Sequence, residues 1–390
     1  EDGTEYRGLP TGLNYIKSLG VTHVQFMPLT DFSTVDDFKP ELNYNWGYDP
    51  RQYLSLKGSF SSDPDHPYVR MKEFKELVAC LHRNHLRVTL DVVFNHVYDV
   101  AETAFDCLVP YYYFRYNEEG YMSNGSYCGN DFASEMPMAS RYLVYVIRSL
   151  MQIYGIDGFR FDLMGIIDVA TMNKIRNEAI RNNPSALIYG EGWDMPTMLQ
   201  GSQKANIHNQ GAMPHIGHFN DYFRDVIKGK TSESEKYERG YATGKWENAF
   251  ASLAGLTANV LDTPHYKRFF SPDQSINGFE THDNSTVWDK MHACCNNEDR
   301  ATRIRRQKMM IAITMVSQGV PFVHAGFEFC ATKKDNHNSY NAPDEINRMD
   351  WERMEYYQEV VKYFRKATAL RRSVSEFCLK TALEINEKVK

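Results

Sequence analysis

Seven short runs rich in β-branched and aromatic residues recur along the 390 residues, at 21–28, 86–94, 156–163, 186–193, 215–221, 275–281 and 321–328. Between them lie amphipathic stretches. Residues 72–84, 139–154 and 303–317 carry apolar side chains at the 3.6-residue period of a helix with one face turned inward. Strand, helix, strand repeated in this way demands parallel pairing, because a parallel neighbour is reached only through a long crossover that then covers the sheet. The expected class is therefore α/β, with the (β/α)8 TIM barrel as the architecture. A closed barrel of that kind needs eight strands. A helix-like stretch at 12–19 already precedes the first run, so the expectation is a fragment whose first strand lies upstream of Glu1. The alternative is an open or seven-stranded sheet. Residues 1–390 are expected to form one catalytic-type domain, with long βα loops at 29–70 and 97–138.

Composition narrows the partners. Lys and Arg number 44 against 50 Asp and Glu, a net charge of −6, so no basic field is available to hold nucleic acid. No apolar run approaches the ~20 residues of a membrane span. Seven scattered cysteines without a C-x-x-C pair fit a reducing compartment better than a disulfide framework; a secreted origin stays open, because the chain starts at Glu1 without Met. Aromatic residues make up 13%, with 25 Tyr and 5 Trp, side chains that suit the apolar face of a sugar ring but serve equally in a large core.

Polar residues break the apolar pattern at the ends of the runs: Asn95 and His96, Asp162, Glu191, His282 and Asp283. In a barrel the C-terminal ends of the strands form the catalytic face. Arg160 and Asp162 are two residues apart on a strand and so share a face, where a guanidinium holds a carboxylate ionised and oriented, as a nucleophile requires. Glu191 lies between Gly190 and Gly192 and is followed by Trp193, surroundings suited to a general acid. Asp283 follows Thr281 and His282 at the end of another run. Each of the three also has a structural reading, as an ion pair, a turn cap or an Asx-turn. Two carboxyl groups on neighbouring strands can stand about 5 Å apart, the spacing of retaining glycosidases.

Four segments in order resemble the motifs of the α-amylase superfamily of glycoside hydrolases: Asp91-Val92-Val93-Phe94-Asn95-His96, Gly158-Phe159-Arg160-Phe161-Asp162, Gly190-Glu191-Gly192-Trp193 and Glu280-Thr281-His282-Asp283-Asn284. Tyr44-Asn45-Trp46-Gly47-Tyr48-Asp49-Pro50 is similar to the motif of type I pullulanases, which cut α-1,6-glucosidic links, and so are the stretches 219–225 and 335–350. The resemblance implies Asp162 as nucleophile, Glu191 as proton donor and Asp283 as transition-state stabiliser. Arg160, His96 and His282 would surround the sugar, Tyr48 would stack beneath it, and Trp46 and Asn338 would be further sugar contacts. Asp91 would be a support residue. On the residues alone, 44–50 reads as a loop punctuated by Asn, Gly and Pro that presents two exposed aromatics as a ligand platform.

The implied substrate is a branched α-glucan: pullulan, amylopectin or limit dextrin. Rival readings are an α-amylase, maltodextrinase or isoamylase-like enzyme, and a non-catalytic carbohydrate-binding relative, which would be expected to have lost one of the three carboxylates. The β-sandwich modules that flank the barrel in type I pullulanases are expected to lie outside these residues. No organic cofactor is required for hydrolysis by carboxylates and water. A structural Ca2+, with its six to eight oxygen ligands, stays open, although neither 91–106 nor 335–350 shows an ordered ligand spacing. The oligomeric state is not legible.

Overall fold

The computed structural model describes residues 3–389. Chain contacts divide them into two compact units, one spanning Thr22–His218 and the other combining the residues up to Val21 with those from Phe219 onward.

In the unit Thr22–His218 the strands lie side by side in chain order: β3 (His23–Phe26), β4 (Arg87–Val92), β5 (Gly158–Phe161), β6 (Leu187–Gly190) and β7 (Gly217–Phe219). Every pairing among them is parallel, with Leu90 opposite Phe159, Asp91 opposite Arg160 and Arg160 opposite Tyr189. Val88, Leu90 and Val92 are buried on one side of β4 while Thr89 and Asp91 are buried on the other, the two-sided burial of a covered parallel sheet. The helices Pro67–Arg83, Pro137–Tyr154 and Val169–Asn182 supply the crossovers. Pro137 starts its helix, where a missing N–H costs nothing, and Gly155, in the left-handed region at φ 75°, ends it with its N–H on the Met151 carbonyl. Leu143, Val146, Ile147, Leu150 and Tyr154 form its buried stripe. The long loop after β4 is pinned at its base by Asn130, whose side chain bonds both the N–H and the carbonyl of Val97, at 3.0 and 2.8 Å.

In the other unit β8 (Ser275–Asn277) and β9 (Val320–Pro321) pair in parallel, with Ile276 opposite Val320. The helices Gly12–Leu19, Asp221–Lys228, Arg300–Val316 and Gln358–Ser373 pack around a core that includes Tyr15, Phe223, Phe279, Met310, Ile311, Val360 and Phe364. Asp299 caps Arg300–Val316 by accepting the Thr302 N–H at 2.7 Å. An antiparallel pair, β1 (Glu5–Tyr6) with β2 (Leu9–Pro10), precedes the first helix and was not expected from the sequence.

Six of the seven expected runs each contain a strand, three to six residues long and no longer than the run, while the seventh, 321–328, shares only Pro321 with β9. The class is α/β with parallel strands. All seven cysteines are free thiols. Among the described residues no helix is long and apolar enough to cross a membrane.

Candidate active site

Because β3 to β7 run in the same direction, the residues that follow β4, β5 and β6 emerge at one end of this unit. Asp91 is the next-to-last residue of β4, Asp162 follows β5 directly and Glu191 follows β6 directly. The backbone continues the sheet by one bond beyond each strand: the Asp162 N–H donates to the Val92 carbonyl at 3.1 Å and the Glu191 N–H to the Phe161 carbonyl at 3.0 Å. Their side chains are thus fixed to the rigid sheet rather than to a loop, which is what a precise constellation needs.

Arg160 is the hub. Its side chain is 1% exposed, and its Nη1 donates to Asp91 Oδ1 at 2.9 Å and to Asp162 Oδ1 at 3.0 Å, while Nη2 lies 2.6 Å from Glu191 Oε1. One guanidinium therefore touches three buried carboxylates on three adjacent strands. Burial works against the Arg160 charge, yet Asp91, Glu191, Tyr48 and Asp162 together hold it cationic, well above its ordinary value. Burial pushes Asp91 up to about 7 against the pull of Arg160 and of the hydrogen bond from Tyr48. The second Glu191 oxygen accepts the Leu163 N–H at 3.1 Å, and Leu163 itself holds a left-handed φ of 40°.

Asp162 is oriented from its other side by Asn95, whose Nδ2 donates to Asp162 Oδ2 and to the Asp162 carbonyl, both at 2.8 Å. The Asn95 amide oxygen meets His96 Nδ1 at 2.5 Å. Burial lowers the pKa of the His96 ring, opposed by the nearby Asp162 carboxylate and by a hydrogen bond to the Tyr48 backbone. The His96 carbonyl is held in turn by Tyr53 Oη at 2.8 Å. The chain His96, Asn95, Asp162, Arg160 sets the angle of the Asp162 carboxylate on both sides.

Tyr48 reaches Asp91 Oδ2 through its hydroxyl at 2.6 Å, and the Arg160 guanidinium lies 5.7 Å from its ring centre. This corrects the expectation for the 44–50 loop. Trp46 is buried, 7% exposed, and packs edge-on to Tyr48 at 6.4 Å and 84°, while Tyr48 is half-buried. The hydrogen bond to the buried Asp91 draws the loop down onto the carboxylates, so its aromatics form a wall of the site rather than an exposed platform.

Two glycines leave room for this arrangement. A Cβ on Gly190 would meet the Phe161 carbonyl oxygen at 2.5 Å, and one on Gly192 would meet Nδ1 of the buried His218 at 2.2 Å. Glu191 can leave the strand at this angle only between residues without side chains.

In the other unit His282 is buried and Asp283 half-exposed, with His282 Nε2 3.4 Å from Asp283 Oδ2. The Asp283 N–H donates to Thr281 Oγ1 at 3.2 Å, and Asn284 takes a left-handed φ of 62°. Asn338 lies exposed on the loop after residue 332, its N–H bonded to Asn336 Oδ1 at 3.0 Å. Sequence reasoning missed that Arg160 holds Glu191 as well as Asp162. Among the described residues no group of three or more His, Cys, Asp or Glu side chains is placed to hold a metal.

The alpha amylase catalytic-domain family matches residues 2–109. The pullulanase of Bacillus subtilis (strain 168) is 43% identical over 378 residues, 97% of this chain and 52% of that protein. Over nearly its whole length this chain is similar to pullulanases, enzymes that share the alpha amylase catalytic domain. The crystal structure of the Anoxybacillus sp. LM18-11 pullulanase complexed with maltotetraose superposes with a TM-score of 0.96 at 44% identity, covering 100% of this chain and 56% of that one. The chloroplastic isoamylase SU1 of Zea mays is more distant, 25% identical over 424 residues. The chain spans about half the length or less of the curated relatives it matches.

Proposed function

We propose that this chain carries the chemistry of a retaining glycoside hydrolase that cleaves α-1,6-glucosidic links in a branched α-glucan such as pullulan, amylopectin or limit dextrin. The observation that supports it most is the single Arg160 guanidinium contacting both Asp162 and Glu191. Retaining enzymes work with carboxyl groups about 5–5.5 Å apart and inverting ones with about 6.5–9.5 Å, the wider gap being needed to admit a water molecule. Two carboxylates gripped by one guanidinium favour the narrower class.

In this reading Glu191, in its acid form, protonates the glycosidic oxygen as Asp162 attacks the anomeric carbon. The C–O bond to the leaving chain breaks and a covalent glycosyl ester forms on Asp162. Glu191, now ionised, takes a proton from water, which attacks the same carbon and frees Asp162. Arg160 and Asn95 hold Asp162 at one angle through both displacements, and His96 lies beside the sugar. Tyr48 lies against the sugar with its hydroxyl committed to Asp91. By its place in the motif, Asp283 is the third carboxylate and stabilises the positive charge that develops on the sugar, with His282 beside it. Trp46, buried behind Tyr48, supports that ring, and Asn338 is a more remote sugar contact. No metal or organic cofactor enters these steps.

Product analysis on pullulan tests the reading. Hydrolysis of the α-1,6 links gives maltotriose. Panose would indicate an α-1,4-acting enzyme, and intact pullulan would reject the assignment.

A further inference from the structure

The loop 279–287 carries His282 and Asp283, yet its backbone includes a left-handed Asn284, and the Asp283 carboxylate is half-exposed. Something must hold such a segment still. Two lysines meet its first half, and both are buried: Lys228 is 1% exposed and Lys333 7%. The Lys228 ammonium donates to the carbonyl of Phe279, and the Lys333 ammonium to the carbonyl of His282. Lysine is among the residues least often found inside a protein, because an ammonium is costly to remove from water.

Each lysine is itself anchored. Lys228 ends the helix Asp221–Lys228, whose Phe223 ring stacks on Phe279 at 4.9 Å and 21°, so one helix grips residue 279 by ring and by carbonyl. The Lys333 backbone N–H donates to Asp289 Oδ2 at 2.8 Å, and Thr332 donates to the other Asp289 oxygen. Asp289 belongs to the helix Val287–Cys294 that the loop leads into. Glu280, 5% exposed, supplies a buried countercharge felt by both lysines, and it receives the Val287 N–H.

We propose that Lys228 and Lys333 are positioning residues, two buried ammonium clamps on the carbonyls of Phe279 and His282 that fix the loop presenting Asp283. The proposal rests on the functional reading above for its effect on turnover. Its structural part stands apart from that reading.

The test uses the full chain and two readouts, hydrogen exchange of peptides from 279–287 and steady-state kinetics on pullulan. In Lys333→Met and Lys228→Met, amides of 279–287 exchange at least about tenfold faster while the helix Arg300–Val316 keeps its protection. In the same variants kcat falls about 10- to 100-fold with little change in KM, because a displaced stabilising group affects the transition state more than binding. Lys333→Arg, which keeps a cation and donors at the carbonyl, recovers most of both. Wild-type exchange in 279–287 in either methionine variant overturns the clamp. So does faster exchange that spreads equally into 300–316, since that marks general destabilisation. Should Lys333→Met fail to fold, Lys228→Met and Lys333→Arg carry the same comparison. A wild-type chain that leaves pullulan intact defeats the functional reading, while the exchange result still decides the clamp.

Discussion

Replacing Arg160 by Met removes the one cation that Asp91, Asp162 and Glu191 share. Met has similar reach and no charge, so the change tests electrostatics more than volume. Arg160 is 1% exposed and Asp91 is fully enclosed, so little water can replace the lost partner. Breaking a buried pair by removing one side costs about 3–5 kcal/mol, because a charge is left without compensation. At about 2.1 cal/mol/K per residue, a chain of 390 residues unfolds with an entropy of about 0.8 kcal/mol/K, so the melting temperature falls by about 4–6 °C. The loss has a sign with pH. Asp91 is already raised to about 7 by burial while Arg160 pulls it down, so without Arg160 it rises further. A carboxyl whose folded pKa lies above its unfolded value disfavours folding increasingly as pH rises through that window, since the native state then holds a proton that the unfolded chain releases. The Arg160→Met variant should therefore be closer to wild type in stability at pH 5.5 than at pH 8. Adding Asp91→Leu should return part of the loss at pH 8. Urea unfolding at the two pH values measures all three effects. A loss under about 1 kcal/mol, or one that does not depend on pH, would refute the picture of a buried cation holding three carboxylates.

Two further outcomes follow from the same unit. His218 is fully buried, and burial lowers its pKa to about 3; its stability contribution is complete above the unfolded value near 6.5 and is lost as pH falls toward 3, about 2 kcal/mol of it by pH 5. Lowering the pH from 7 to 5 should cost wild type about 2 kcal/mol more than it costs His218→Leu, and equal slopes in chemical denaturation would show the ring is not the cause. Gly192→Ala places a Cβ 2.2 Å from His218 Nδ1, against a ring with no room to move, and should cost about 1–3 kcal/mol and lower kcat by displacing Glu191. Wild-type activity in that variant would mean the Glu191 backbone has slack.

Six strands were legible because each is a compact apolar run between polar punctuation, and because a parallel strand covered on both faces has no polar side to blur the signal. The pair β1 and β2 escaped notice, since two residues per strand carry no period. Contact between Arg160 and Asp162 follows from their two-residue spacing. Contact between Arg160 and Asp91 or Glu191 depends on which residues of neighbouring strands stand opposite one another, and that register is set by packing across the sheet rather than by any local pattern. Trp46 was misjudged as exposed because a loop rich in Asn, Gly and Pro reads as surface; the hydrogen bond from Tyr48 to Asp91, which draws the loop inward, joins residues 43 positions apart. Lys228 and Lys333 gave no signal at all, because a lone lysine in a sequence looks solvated.

The order in which anomers appear at the newly freed reducing end tests the central claim most directly, that Asp162 forms a covalent link to the sugar while Glu191 serves first as acid and then as base. Proton NMR during the first minutes of pullulan hydrolysis, before mutarotation mixes the forms, reads it. Two displacements on one carbon predict the α-anomer first. The β-anomer appearing first would mean a single displacement by water, and Asp162 would not be the nucleophile.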